Sequence, residues 1–218
     1  MEVYYTIAAL KDKLNSHKPL QKSIGLVPTM GALHMGHLEL LKAAQIQGDL
    51  TVVSIFVNPE QFNNAEDLAR YPKDLANDLK TLELAGCDMV FVPSEEEMYP
   101  SAPGMTLNFG NLENIMEGKH RPGHFSGVGL VVSKLFNIVQ PNNAYFGQKD
   151  LQQCHVIQRL IRNLDFDIKL RMVPIVREPD GLAKSSRNKR LSPAQREVAP
   201  AIYASLQAAA KMIANGDG

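Results

Sequence analysis

Apolar and polar positions follow two rhythms along this chain. Short apolar-rich runs at residues 23–28 (SIGLVP), 50–58 (LTVVSIFVN), 88–93 (DMVFVP), 144–146 (AYF) and 167–174 (DIKLRMVP) predict five strands. Between them, apolar residues recur every three or four positions and predict helices. One carries Leu38, Leu41 and Ala44 and stops at Gly48; another carries Leu75, Leu79 and Leu82 and stops at Gly86. A third carries Leu151, Cys154, Ile157, Ile161 and Leu164. The run SGVGLVVSKLFNIVQP predicts a mostly buried helix with Ser126 as its N-cap and Pro141 as its stop. In SPAQ, Ser192 is a natural N-cap with Pro193 at N1 and Gln195 at N3, and an alanine-rich helix follows that frays into ANGDG. Residues 94–124, rich in Pro, Gly and charge, predict loops.

Strands that alternate with helices predict an α/β fold: a Rossmann-like parallel sheet flanked by helices, with ligand loops at its carboxyl edge. A composition shift at VREPD sets a boundary near residue 176. Residues 1–176 then form the sheet domain, and residues 177–218 are too few for a core of their own.

Composition removes several functions. Lys plus Arg equals Asp plus Glu, 23 each, so there is no basic excess of the kind a sequence-independent nucleic-acid binder uses. The start MEVYYTIAAL lacks a basic n-region, and no apolar run approaches the roughly 20 residues that span a bilayer. Cys87 and Cys154 stand apart without CxxC spacing, which suits free thiols in a reducing cytoplasm.

Candidate chemistry gathers in the loops after the predicted strands. In PTMGALHMGH, Gly31 and Gly36 let the backbone approach a ligand, and His34 and His37 fall where unpaired N–H groups and the helix dipole favour an anion. Two imidazoles there can donate to phosphate oxygens as charge develops. A metal half-site completed by His120 and His124, or ordinary packing, are the competing readings. Position favours phosphate. In FVNPEQF, Asn58 and Gln61 are neutral groups suited to a hydroxyl or carboxylate of a small substrate; turn chemistry and solvation are their plainer roles. FGQKD places Lys149 for a phosphate and Asp150 for a ribose hydroxyl or metal-bound water, against ordinary surface charge. Gln153 follows one turn later on the same face. AKSSRNKR has four basic residues and no acid. Lys184, Ser185, Ser186 and Arg187 suit a triphosphate, whereas Lys189 and Arg190 suit a solvated face.

Taken in order, PTMGALHMGH, SIFVNPEQF, RPGHFSGV, FGQKD with QQ after it, and REPDGLAKSSRN resemble the pantoate–β-alanine ligase (pantothenate synthetase) family of the nucleotidylyltransferase superfamily, across residues 23–196. The resemblance implies a two-step reaction. ATP and pantoate form an enzyme-bound pantoyl adenylate with loss of pyrophosphate, and the amine of β-alanine then displaces AMP, giving pantothenate, a coenzyme A precursor. It implies an ATP site of Met30, Gly31, His34, Gly36, His37, Gly147, Gln148, Lys149, Asp150, Val176, Lys184, Ser185, Ser186 and Arg187. Within it, His34 and His37 meet the phosphates with His37 as proton donor, Lys149 meets phosphate, Val176 meets adenine through its backbone, and residues 184–187 close on the triphosphate. Gln61 and Gln153 would hold pantoate, with Asn58, Met30 and His124 in the same substrate site and Gln61 also near β-alanine. Mg²⁺ would arrive with ATP, no side-chain metal site being implied, and the protein would be a cytoplasmic homodimer.

Three departures stand out. Met35 occupies a position often polar in the family and is expected to face away from phosphate. Lys184 replaces a common hydrophobic residue and is expected to add a phosphate contact. The family continues past the position of Gly218 into a C-terminal lid, so residues 177–218 are expected to be only the start of that lid, in truncated form. On the residues alone, nucleotidyl transfer to a phosphorylated acceptor and a non-catalytic nucleotide-binding or RNA-associated module remain open. The Gln61 and Gln153 pair favours a small carboxylate acceptor, and zero net charge disfavours RNA.

Overall fold

The computed structural model describes residues 1–17 and 22–216, without the side chain of Lys189; Asp217 and Gly218, the end of the expected fraying tail, lie outside the described residues. Its strands are β1 (Glu2–Tyr4), β2 (Ile24–Thr29), β3 (Leu50–Ile55), β4 (Met89–Phe91), β5 (Asn143–Gly147) and β6 (Lys169–Val173). They form one parallel sheet in the order β1-β4-β3-β2-β5-β6. The helices are α1 (Ile7–His17), α2 (Met35–Gln47), α3 (Ala65–Ala69), α4 (Leu75–Leu84), α5 (Glu95–Met98), α6 (Met116–His120), α7 (His124–Val139), α8 (Leu151–Asn163), α9 (Pro193–Val198) and α10 (Ala201–Asn215).

The two-residue period of the central strands builds a core on each face of the sheet. Leu26, Val52 and Ala144 face a cluster with Leu10 and Leu14 of α1, Phe125, Val128 and Leu135 of α7, and Ile157 of α8. Their neighbours Val27, Val53, Val90 and Tyr145 face Leu40, Leu41 and Ala44 of α2 and Leu82 of α4. At the amino edge, the buried Asp49 carboxylate accepts hydrogen bonds from Ser23, from Asn143 Nδ2 at 3.0 and 3.1 Å, and from the Tyr145 hydroxyl at 2.6 Å.

From β2 the chain moves to β3 on one side and later returns to β5 on the other, so the topology reverses at β2. Crevices at such a reversal, outside the carboxyl ends of the strands, are where open α/β sheets bind ligands. The loops after β2, β3 and β5 carry His34 and His37, Asn58 and Gln61, and Lys149 and Asp150.

The structure adds elements that the hydrophobic pattern does not reveal. β1 is three residues at the sheet edge, paired only to β4, too short to show a period. The stretch expected to be loops contains α5, capped by the Ser94 hydroxyl, and α6. Ser126 is not an N-cap. α7 begins at His124 behind Gly123 in a left-handed conformation, and the Ser126 hydroxyl accepts a hydrogen bond from Leu107 N at 3.0 Å. That bond ties the irregular segment before α6 to the helix, a long-range use that local capping rules do not see. The Ser192 capping box forms as expected, and α10 lies entirely at the surface, with Ile202, Leu206 and Ile213 exposed.

Candidate active site

A cavity of about 800 Å³ opens at the carboxyl ends of β2, β3 and β5. Its first wall is the β2–α2 turn, whose backbone donors are almost all taken up within the protein. Gly31 N donates to Thr29 Oγ1 at 3.3 Å, and Ala32 N and Leu33 N donate to Asp78 of α4 at 2.9 and 2.8 Å. His34 N donates to His37 Nδ1 at 3.2 Å, and Gly36 N donates to His34 Nδ1 at 3.1 Å. His34 is thus the N-cap of α2 and His37 its partner in a capping box built from imidazoles. The rings stack, centroids 4.1 Å apart and 30° between planes.

That geometry fixes the tautomers. Each Nδ1 accepts a backbone N–H, so each neutral ring carries its proton on Nε2, on the opposite edge. Burial depresses the pKa of His37 to about 3, with His34 and Lys149 adding to the effect. Burial also lowers His34, followed by Lys149 and Lys184. The pair therefore offers two neutral N–H donors at a helix N-terminus. Met35, between them, is 48% exposed and does not line the cavity.

The second wall is the turn after β3 packed on α7. Asn58 is 1% exposed: its Nδ2 donates to Gly127 O at 3.1 Å and to Gln61 Oε1 at 3.3 Å, and its Oδ1 accepts from the Tyr99 hydroxyl at 2.9 Å. It precedes the 3-10 turn Pro59–Gln61 yet makes no capping bond, so its amide is committed to holding Gln61. Among the described residues Gln61 Nε2 donates only to the weak acceptor Met30 Sδ, at 3.0 Å, and it retains donor capacity. His124 Nδ1 donates to Gln61 O at 2.9 Å, and Arg121 approaches His124 Nε2 at 3.3 Å. His124 therefore anchors the Gln61 backbone.

The remaining walls bring the cations. Lys149 and Asp150 follow β5 and pair at 3.0 Å, and Gln153 lies one turn on in α8. From beyond β6 come Val176, Lys184, Ser185, Ser186 and Arg187. The Val176 carbonyl accepts Lys184 N at 2.9 Å, Lys184 Nζ pairs with Glu178 at 2.9 Å, and Arg187 pairs with Asp67 of α3 at 3.1 Å. Arg190 joins the same carboxylate at 3.0 Å, which makes it a docking residue for this loop. Each carboxylate partner is partly solvated, so these pairs are weak enough for a phosphate to displace.

Met30, Gly36 and Gly147 also line the cavity. Gly31 and Gln148 do not: Gly31 lines a separate cavity of about 250 Å³ behind the turn, and Gln148 lies in the 3-10 turn Gln148–Asp150 off the wall. Tyr71, Arg121 and Ser54 are lining residues that sequence reasoning missed. Tyr71 lies in RYPKD, between the predicted strand at 50–58 and the helix at Leu75, and Arg121 lies in RPGH beside His124; Arg121 is half-buried, and burial lowers its pKa. Ser54 Oγ is the one buried side-chain oxygen without a protein partner among the described residues. Gln152, beside Gln153, spans Leu112 O at 2.7 Å, Ile115 O at 2.9 Å and Glu117 N at 3.0 Å, holding the segment that leads to Arg121. Among the described residues no three His, Cys, Asp or Glu side chains gather as a metal site, and His120 is exposed at the end of α6.

A parallel sheet with a paired-histidine turn at its topological reversal defines an α/β protein with an anion-accepting crevice at its carboxyl edge, the arrangement that the resemblance to the nucleotidylyltransferase superfamily implies. Comparison with known proteins narrows this. The family profile for pantoate-beta-alanine ligase matches residues 2–217. A pantothenate synthetase of Lysinibacillus sphaericus is 51% identical over 218 residues, covering all of this chain and 77% of the relative. The crystal structure of pantothenate synthetase from Thermus thermophilus superposes with a TM-score of 0.93 at 46% identity, covering 99% of this chain and 77% of that one. The pantoate-beta-alanine ligase from Francisella tularensis, complexed with beta-gamma ATP and beta-alanine, gives 0.90 at 44% identity, covering 95% and 79%. The chain belongs to the pantoate–β-alanine ligase family.

Proposed function

We propose that this protein is an ATP-dependent ligase that condenses pantoate with β-alanine to pantothenate through a pantoyl adenylate, releasing pyrophosphate and then AMP. One observation carries the reading: a single cavity joins a neutral stacked histidine pair at the N-terminus of α2 to a facing wall of uncharged amides. In the first step a pantoate carboxylate oxygen attacks the α-phosphorus and the bond to pyrophosphate breaks. Such a step needs alignment and charge stabilisation more than a strong base. His34 and His37 would meet the phosphates through Nε2–H, with His37 as donor to the leaving group. Lys149, Lys184 and Arg187 would exchange their carboxylate partners for phosphate oxygens, aided by the Ser185 and Ser186 hydroxyls. Met30, Gly36, Gly147, Asp150 and the Val176 backbone complete the nucleotide site, while Gly31 and Gln148 act through the backbone turns they form.

Gln61 and Gln153 would hold pantoate beside Met30, with Asn58 and His124 keeping Gln61 in place. In the second step the β-alanine nitrogen attacks the acyl carbon and the acyl C–O bond breaks, leaving that oxygen on AMP. An adenylate is labile to water, so the cavity must close over it. The same proposal therefore takes residues 1–176 as the ATP and pantoate domain and residues 177–218 as a lid segment. Its support is that the sheet ends at Val173 while residues 184–187 reach the cavity from beyond it. Mg²⁺ enters as part of the substrate MgATP, held by phosphate oxygens, with Asp150 the wall carboxylate beside Lys149. Two free buried cysteines support a cytoplasmic location, and among the described residues no helix is long and apolar enough to cross a membrane. The homodimer rests on the family resemblance, and sedimentation equilibrium measures it directly. The function is tested by AMP formation from ATP, pantoate and β-alanine. AMP that requires all three supports the ligase, and ATP turnover indifferent to pantoate refutes it.

A further inference from the structure

Asp78 lies on α4, off the wall of the main cavity, and is 1% exposed. A buried carboxylate demands compensation, and Asp78 receives it from the backbone of the histidine turn: Oδ2 accepts Ala32 N at 2.9 Å and Oδ1 accepts Leu33 N at 2.8 Å. The turn that makes these bonds is unusual. Gly31 and Ala32 occupy the left-handed region in succession, at φ 79° and φ 50°, and the second carries a side chain. The successive Ala32 and Leu33 N–H groups converge on one anion. Here that anion is a side chain of the protein. A Cβ on Gly31 would stand 2.9 Å from Asp78 Oδ2, so the carboxylate fills the space that the glycine leaves.

We propose that Asp78 is a positioning residue for the two histidines: its carboxylate, bonded to Ala32 N and Leu33 N, holds Gly31 and Ala32 left-handed and thereby sets where His34 and His37 aim. The connection is short. Leu33 leads directly into His34, and the His34 N–H and side chain are locked to His37 and Gly36. A turn that relaxes at Ala32 carries both rings with it. An amide cannot replace the carboxylate, because its NH₂ group would face one of the two backbone N–H donors.

This inference rests on the proposed adenylate chemistry, and its test separates the two. Asp78→Asn preserves shape and removes one acceptor. It is expected to slow pantoate-dependent pyrophosphate release by about tenfold or more while changing the KM for pantoate by less than about threefold. It is also expected to shift the imidazole NMR signals of His34 and His37, leaving those of His17, His120 and His155 unchanged. Adding Ala32→Gly, which tolerates φ 50° without an anchor, should restore part of the rate. A folded Asp78→Asn protein with wild-type release, or with unmoved His34 and His37 signals, overturns the proposal. So does the absence of rescue by Ala32→Gly. If Asp78→Asn does not fold, Gly31→Ala is examined in its place, and unmoved His34 and His37 signals there overturn it equally. A wild-type protein that releases no pyrophosphate would sink the ligase reading, whereas the NMR comparison would still decide the role of Asp78.

Discussion

Gly127→Ala is the substitution whose cost can be worked most directly from the structure. Gly127 is the fourth residue of α7, flush against the Pro59–Gln61 turn. A Cβ there would sit 2.1 Å from Glu60 O, 2.4 Å from Glu60 C and 2.7 Å from Gln61 N, all backbone atoms. Ordinary contact begins at 3.4 Å, so the closest pair must separate by about 1.3 Å. The same contact carries the hydrogen bond from Asn58 to Gly127 O, so the move also loosens the amide that holds Gln61. Overpacking of this kind destabilises by about 1–3 kcal/mol, or roughly 2–12 °C in Tm for a domain of this size. A displacement of about 1 Å in a substrate-positioning group lowers rate by about 100-fold. The variant should therefore fold, with kcat/KM for pantoate down by about 100-fold. ATP affinity should stay within about threefold, because the histidine turn and α2 are on the other wall. Pyrophosphate release at varied pantoate and varied ATP, with a melting curve, measures all three. A folded variant whose kcat/KM for pantoate stays within about twofold of wild type would refute the assigned role of the Asn58–Gln61 wall.

Two further outcomes follow from the electrostatics. His37 titrates near 3 when folded and near 6.5 when unfolded, so the unfolded chain takes up its proton first as pH falls. The contribution is intact above pH 6.5 and is lost as pH drops from there toward 3. It amounts to about 2 kcal/mol between pH 7 and pH 5, with His34 and His124 acting in the same direction. Denaturant melts at the two pH values read this, and an absent difference would contradict the neutral, partly buried pair. Separately, Asp67→Asn frees Arg187 and Arg190 from their shared carboxylate and should lower the KM for ATP by about two- to fivefold, the range of a partly exposed pair. A raised KM would mean that Asp67 holds the loop in its binding pose.

Much of this site was legible before any coordinates because it depends on local rules. A buried strand and the Gly- or Pro-marked turn that leaves it can be read from neighbours in the chain, and three such junctions bring His34, Gln61 and Lys149 to one edge of the sheet. Long-range partners could not be read in this way. Nothing near Asn58 announces that its amide spans Gln61, Gly127 and Tyr99, and nothing near Ser126 distinguishes a cap from an acceptor for Leu107. Asp78 reads as one acid among several on an amphipathic helix until α4 is seen beneath the histidine turn. β1 was hidden for a different reason, since three edge residues carry too little periodicity.

The central claim is that a pantoate carboxylate oxygen bonds to the α-phosphorus within this cavity. Pantoate labelled with ¹⁸O in its carboxylate tests it most directly, with the AMP formed in the presence of β-alanine examined by mass spectrometry. One ¹⁸O atom is expected in the phosphate of AMP and none in pyrophosphate. AMP without the label, or label in pyrophosphate or inorganic phosphate, would contradict it.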